Sequence, residues 1–295
     1  MTIVVGTASW TDKTLIDSGK FYPAGCRSPE ARLRYYAQQF AMVEVDSSYY
    51  AIPAPATAQA WAERTPPDFR FNVKAFRLFT GHQTDPKVLE KDIREALPAS
   101  SQRMLYYRDL PLDILDELWR RFQRALAPLD LNGKLTAVHF QFAPWVINDR
   151  DGRAHVAECV ERMAGQQLTV EFRNKVWFEG ANSARTLEMQ RELGVAHTVV
   201  DAPQDLANSI PAVWDITSTK LALVRLHGRN RGTWNIKGAT SASDRFNYDY
   251  TEGELRDLVP RLQTLAERVE LLQVVFNNNY EDQGQRNGRL LVSLL

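Results

Sequence analysis

The sequence predicts a single α/β barrel in which eight strands alternate with helices. Three observations carry the prediction. Eight short runs are β-branched or alternate in polarity, and most gaps between them show helical periodicity. No linker, repeat or shift in composition interrupts the 295 residues, a length ordinary for one barrel of roughly 250 residues with insertions. The competitor is a doubly wound open sheet. Its dinucleotide-binding form needs a Gly-x-Gly-x-x-Gly turn after an early strand, and Gly6-Thr-Ala-Ser-Trp10 is not one.

The strands are expected near Ile3–Ser9, Met42–Ser47, Phe71–Phe76, Thr136–Phe142, Leu168–Phe172, His197–Val200, Ala222–His227 and Leu272–Asn277. Between the first two, Leu33, Tyr36, Ala37 and Phe40 share a helical stripe, with Ser28 as N-cap and Pro29 in the first turn. Leu115, Leu118, Trp119, Phe122 and Leu126 make a second stripe. Val156, Cys159, Val160 and Met163 make a third, stopped by Gly165. Thr251 and Glu254 have capping-box spacing before Leu255, Leu258, Val259, Leu262 and Leu265, and Leu290, Leu291 and Leu294 mark a closing helix. The weakest stretch is Gln204–Lys220, where only Asp205–Ser209 reads as helical before Pro211.

Two connections exceed ordinary joints: Arg77–Pro111 after the third strand, with its own helix around Pro86–Ala96, and Gly228–Tyr250 after the seventh. Both leave the C-terminal face, where barrels of this kind place their sites, and are expected to act as a lid and a binding loop. In the second, Arg229, Arg231, Lys237 and Arg245 outnumber Asp244 and Asp249 by two, beside Trp234, Phe246, Tyr248 and Tyr250.

Lys+Arg and Asp+Glu are 36 each, so the formal charge is zero and bulk electrostatic capture of a polymer or membrane is not expected. The 44% hydrophobic content suits a chain with a sizeable core. No apolar run is long enough to span a membrane, and Met1-Thr-Ile-Val-Val-Gly6 enters a strand directly. Cys26 and Cys159 form no Cys-x-x-Cys pair or disulfide framework. A soluble protein of a reducing, cytoplasmic compartment is expected.

Alternation within the strands is the most informative signal. Glu44 and Asp46 alternate with Val43 and Val45, Lys74 with Val73 and Ala75, and His139 and Gln141 with Val138, Phe140 and Phe142. Glu171 and Arg173 alternate with Val170 and Phe172, and Arg225 and His227 with Val224 and Leu226. Helix-facing positions should be apolar, so the charged set points into the barrel. With Asp201 added, its signs nearly match. Buried charges persist when paired, so an ion-pair web is predicted. Glu44, His139 and Arg225 lie deep, where scaffold and site readings both stand. Asp46, Lys74, Arg173, Asp201, His227 and Asn277 lie nearer the C-terminal ends.

The residue types exclude several chemistries. Paired carboxylates for retaining glycoside hydrolysis are missing after the fourth and seventh strands, which end in Gln141 and His227-Gly228. Lys74 is the only evident inward lysine for a Schiff base. His139, Glu171, Asp201 and His227 include zinc- and manganese-ligating types, but Lys74, Arg173 and Arg225 would repel a dication, so no metal site is assigned. Redox cofactors have no support in the sequence. Aromatics gather at strand exits: Trp10, Tyr49, Tyr50, Trp145, Trp177, Trp234 and Tyr280. With Arg229 and Arg231 they suit an anionic, ring-bearing ligand such as a nucleotide, a nucleic-acid end or a phosphosugar. Asn277 and Asn278 complete the candidate binding set.

These residues resemble the YecE-like family, domain of unknown function seventy-two, almost end to end. The resemblance rests on Gly6-Thr-Ala-Ser-Trp10, Phe21-Tyr-Pro23, Arg34-Tyr-Tyr-Ala-Gln-Gln-Phe40, Val43-Glu-Val-Asp46, Tyr50 and Pro53. It continues through Trp61, Thr65-Pro66, Phe71-Asn-Val-Lys-Ala75, Val170-Glu-Phe-Arg173, Trp177 and Arg225-Leu-His-Gly228. Arg245-Phe246, Tyr248, Tyr250, Phe276-Asn-Asn278 and Asn287 complete it. The chain departs from the family at Asp46-Ser-Ser-Tyr-Tyr50, at Asn279–Gly284 and in the 77–111 insertion. The resemblance implies a TIM-like barrel with a charged, aromatic-rich groove on its C-terminal face, and implies no reaction.

Three readings stand open. In a hydrolase or lyase, Asp201 or Glu171 is general base and His227 general acid or base. Lys74, Arg173 and Arg229 then hold anionic oxygens. A non-catalytic ligand- or nucleic-acid-binding module would use the same groove. A metal-assisted, endonuclease-like hydrolase is the third, by analogy of architecture. Protein partners and oligomeric state are not legible.

Overall fold

The computed structural model describes residues 2–98, 104–204, 206, 208–236 and 242–295. Eight parallel strands close into a barrel in chain order: β1 Ile3–Ala8, β2 Met42–Val45, β3 Arg70–Lys74, β4 Leu135–Gln141, β5 Leu168–Glu171, β6 Ala196–Asp201, β7 Leu221–Leu226 and β8 Leu271–Phe276. Closure runs through β1 and β8, with Ile3 opposite Leu272 and Thr7 opposite Phe276. All eight predicted strands are present. The described helices are α1 Lys13–Ser18, α2 Pro29–Gln39, α3 Ser47–Tyr50, α4 Pro55–Glu63, α5 Lys91–Ala96, α6 Leu112–Leu131, α7 Arg150–Arg162, α8 Asn182–Glu192, α9 Glu252–Ala266 and α10 Gln283–Leu294.

The caps form as their residues dictate. The Ser28 side chain accepts from the Ala31 N–H, and Thr251 and Glu254 cap α9 reciprocally. Losing such a cap costs roughly 1 kcal/mol. Helix α7 ends at Arg162, and Gly165 supplies the left-handed backbone (φ 92°) two residues beyond the Met163 cap.

Two local expectations are corrected. The helix around Pro86–Ala96 is a 3-10 turn, Pro86–Val88, then α5, because Leu89 and Glu90 are extended. In Gln204–Lys220, Leu206, Asn208 and Ser209 are not helical. There the Ser209 hydroxyl accepts from the Leu206 N–H and competes with helix formation. Asp205 and Ala207 lie outside the described residues, as does Lys237.

Strand parity sorts the core. Outward residues of β2 to β5 (Val43, Val45, Phe71, Val73, Val138, Phe140 and Val170) pack in one apolar cluster with α2, α4, α6 and α7. Val199, Val224, Leu226, Val274 and Phe276 meet α9 and α10 in another. The floor of the interior is apolar, built from Ala137, Ala196, Leu221 and Leu271. Above it the interior turns polar, with Asn72 donating to Gln273 at 2.8 Å.

Candidate active site: a cationic barrel mouth over an arginine–glutamate hub

At the centre of the barrel, Arg225 is wholly buried between two carboxylates. Its Nη1 donates to Glu171 Oε2 at 2.6 Å and its Nη2 to Glu44 Oε1 at 2.7 Å. Glu171 Oε1 also accepts from Gln141 Nε2 at 2.6 Å and from Arg173 Nη1 at 3.0 Å. Burial, the largest single influence, opposes ionisation of Glu171, but Arg225, His227 and His139 together outweigh it. The carboxyl is therefore held well below the usual range. A carboxylate so saturated is a weak base.

His227 is equally engaged. Asn277 Nδ2 donates to its Nδ1 at 2.7 Å, which places the ring proton on Nε2, 3.4 Å from Glu171 Oε1. Burial pushes its pKa down to about 3 against the pull of Glu171, so the ring is neutral. His139 is also pushed down, first by burial and then by Arg225, and meets Thr169 at 2.9 Å. The predicted web thus exists around Glu44, His139, Glu171, Arg173, Arg225 and His227.

Toward solvent the balance changes. Lys74 Nζ lies 2.7 Å from Asp46 Oδ1 and 3.3 Å from Gln141 Oε1, and 4.6 Å from the centre of the Tyr49 ring. The Asp46 side chain is 24% exposed and that of Lys74 8%, so this buried lysine meets a carboxylate that reaches solvent, as Glu171 does not. Arg77 stands over Tyr49 at 5.2 Å. Arg173 and Arg245 stand over the Trp234 ring at 5.4 and 5.9 Å, and Phe246 and Trp234 lie against His227. Among the described residues neither Arg77 nor Arg245 has a carboxylate partner.

Five cations, Lys74, Arg77, Arg173, Arg225 and Arg245, therefore face three carboxylates, Glu44, Asp46 and Glu171. The surplus is felt locally. His82, between Tyr49 and Trp145, is pushed down to about 3 by burial and then by Arg77, Lys74 and Arg173. Burial and the neighbouring Arg173 likewise lower Arg245.

Several expected site residues lie elsewhere. Asp201 shares the outward parity of His197 and Val199, so it stands behind the barrel wall. Arg229 grips it through Nε and Nη2, both at 2.9 Å, and Tyr250 donates to it at 2.6 Å. Both Asp201 and Arg229 are thereby removed from the mouth. Trp177 is buried on the helix side, stacked on Phe172 at 3.8 Å. Trp10 packs edge-on against Trp61 at 5.7 Å. Asn278 donates to the Tyr248 carbonyl and to Asn287, and ties loop to helix. Arg77, His82 and Arg245 were absent from the expected set. The first two follow the third strand without periodicity, and their positions depend on how the 77–111 insertion folds back. Gly228 explains the seventh exit: its φ is 85°, and an added Cβ would sit 2.5 Å from that of Tyr248.

No group of three or more His, Cys, Asp or Glu suited to a metal occurs among the described residues. Of the four residues of ligand-bearing type named from sequence, His139, Glu171 and His227 lie together in the interior, where arginine holds Glu171, while Asp201 stands behind the barrel wall. No described helix is long and apolar enough to cross a membrane.

The family described as protein of unknown function DUF72 matches residues 4–295. UPF0759 protein YunF of Bacillus subtilis (strain 168) is 31% identical over 295 residues, covering 99% of this chain and 94% of that protein. Among solved structures, a DUF72 family protein (EF0366) from Enterococcus faecalis V583 has a TM-score of 0.79 at 23% identity, over 100% of this chain and 95% of that one. A DUF72 family protein (TM1631) from Thermotoga maritima MSB8 has a TM-score of 0.77 at 26% identity, over 100% and 99%.

Proposed function

The chain belongs to the DUF72 family, whose description assigns no activity, and on that premise we propose that its barrel mouth is a pocket for an anionic, ring-bearing small molecule, on which it acts as a hydrolase or lyase. A nucleotide, a nucleic-acid end and a phosphosugar share this chemistry. The observation that carries the reading is the surplus of cations around Trp234 and Tyr49, with Arg77 and Arg245 lacking carboxylate partners among the described residues. Guanidinium groups present forked donors to phosphate or carboxylate oxygens, and an aromatic wall takes a ring. Residues 228–236 and 242–250 carry Trp234 and Arg245 and are proposed as the cover of the pocket.

Proton transfer falls to the pair of Asp46 and Lys74. Asp46 accepts a proton from an attacking water or an activated carbon, and Lys74 gives one to the leaving oxygen. Their 2.7 Å contact returns the proton between turnovers. Glu171 holds Arg173 and His227 in place and exchanges no proton. Nucleoside monophosphates, short single-stranded oligonucleotides and sugar phosphates should be tested for binding and turnover, with and without added zinc or manganese. Lys74→Met is expected to lower turnover at least 100-fold with little change in affinity, as loss of a general acid does. Saturable binding without turnover of any of them would instead favour the non-catalytic module. The complete saturation of Glu171 and His227 is the feature that speaks for that second reading.

A further inference from the structure

The residues that parity excludes from the mouth line a different cavity. It has a volume of 590 Å³ and lies between the exits of β6 and β7, on the outer side of the barrel wall. Ligand pockets commonly span about 300–1,000 Å³, so it has room for more than a bare ion. Ala202, Pro203, Pro211 and Ala212 form an apolar wall. Opposite are Arg229, Arg231 and Arg261, and among the described residues Asp201 is the only acidic one in the lining.

Arg229 is neutralised by Asp201. Arg231 and Arg261 have no carboxylate partner among the described residues, and Arg261 instead lies over the Trp214 ring at 5.4 Å. Among the described residues the lining therefore carries two cations without a carboxylate partner beside an apolar wall.

We propose that this cavity is a second anion site, which takes a phosphorylated small organic molecule. The phosphoryl group pairs with Arg231 and Arg261, and the organic portion lies against Pro203, Pro211 and Trp214. Two guanidinium groups suit a dianion, because each can donate in parallel to two of its oxygens. The site shares no side chain with Lys74, Arg173, Arg245 or Trp234, so it stands whether or not the barrel mouth binds a ligand.

The test is calorimetric titration of the full chain with ribose 5-phosphate, inorganic phosphate and sulfate. Both arginines are exposed, so Arg231→Gln and Arg261→Gln are expected to unfold at the wild-type urea midpoint. Ribose 5-phosphate should bind saturably and at least tenfold more tightly than sulfate. Binding should persist in Arg245→Gln, which removes the contribution of the mouth, and adding Arg231→Gln or Arg261→Gln to that background should weaken it at least tenfold. Trp214 fluorescence should report the same event, and Trp214→Phe should remove the signal while calorimetric binding persists. Three results would overturn the proposal: no binding, binding no tighter than sulfate, or binding lost in Arg245→Gln but kept in both arginine variants.

Discussion

The hub around Glu171 and the mouth around Trp234 are built from the same residue types and differ in how completely those types are satisfied. In the hub every charged group has an opposite partner within 3.0 Å, and Glu171 accepts from Arg173, Arg225 and Gln141. At the mouth Arg77 and Arg245 face aromatic rings, and Asp46 meets one lysine from a half-open position. Saturation marks scaffold, because a paired and buried charge has nothing left to offer a ligand. Incomplete pairing beside rings marks the site, where a ligand supplies the missing charge.

Acid should destabilise the chain most severely, at the hub through His227 and outside it through His82 and His197. His82, His197 and His227 are pushed down to about 3, 4 and 3, first by burial in each case. An unfolded imidazole takes its proton near 6.5, so the unfolded chain binds more protons as pH falls from 6.5 toward 4. Stability must fall in that window, by about 1.4 kcal/mol per pH unit for each fully protected ring. Glu171 acts in the same direction at lower pH: its contribution is complete above about 4.5 and is lost as pH falls through its depressed value. Urea midpoints between pH 7 and 4 check this, with a shallower slope in His227→Gln. A flat profile would contradict the buried neutral rings.

Arg225→Met comes next. It strands Glu44 and Glu171 without their shared cation and should cost about 3–5 kcal/mol, read from denaturant unfolding. A loss under about 1 kcal/mol would mean that the hub is open to water. Asp201→Asn should cost less, about 2 kcal/mol, since it weakens charged hydrogen bonds from Arg229 and Tyr250 that are partly solvated. The same variant should leave affinity at the mouth unchanged. A fall in turnover with intact stability would return Asp201 to the catalytic set.

The case of Asp201 also shows what sequence could and could not reveal. Alternation was legible wherever a strand mixed apolar and charged residues, as in Val43-Glu-Val-Asp46 and Val170-Glu-Phe-Arg173, and those residues face the interior as expected. The sixth strand reads Ala-His-Thr-Val-Val-Asp, with no charged residue at the inward parity to set its phase. Asp201 was therefore placed by its charge and falls on the opposite face. Trp10 and Trp177 were placed by proximity to strand exits. Both are large enough to be recruited into packing, against Trp61 and Phe172. Arg77 and His82 owe their positions to a tertiary turn, fixed by the Arg77 N–H on the Tyr49 carbonyl and the His82 N–H on the Arg77 carbonyl. No local spacing encodes such a turn. The caps of α2 and α9 were legible because a cap is a local transaction between a side chain and the next three residues.

The contrast between hub and mouth is tested most directly by calorimetric titration of a nucleoside monophosphate and sugar phosphate panel into wild type and Arg245→Gln. At least one ligand should bind saturably to wild type and about tenfold more weakly to the variant, roughly 1.4 kcal/mol, at an unchanged urea midpoint. Equal affinity in the two proteins, or no binding across the panel, would contradict the assignment of the mouth as an anion pocket.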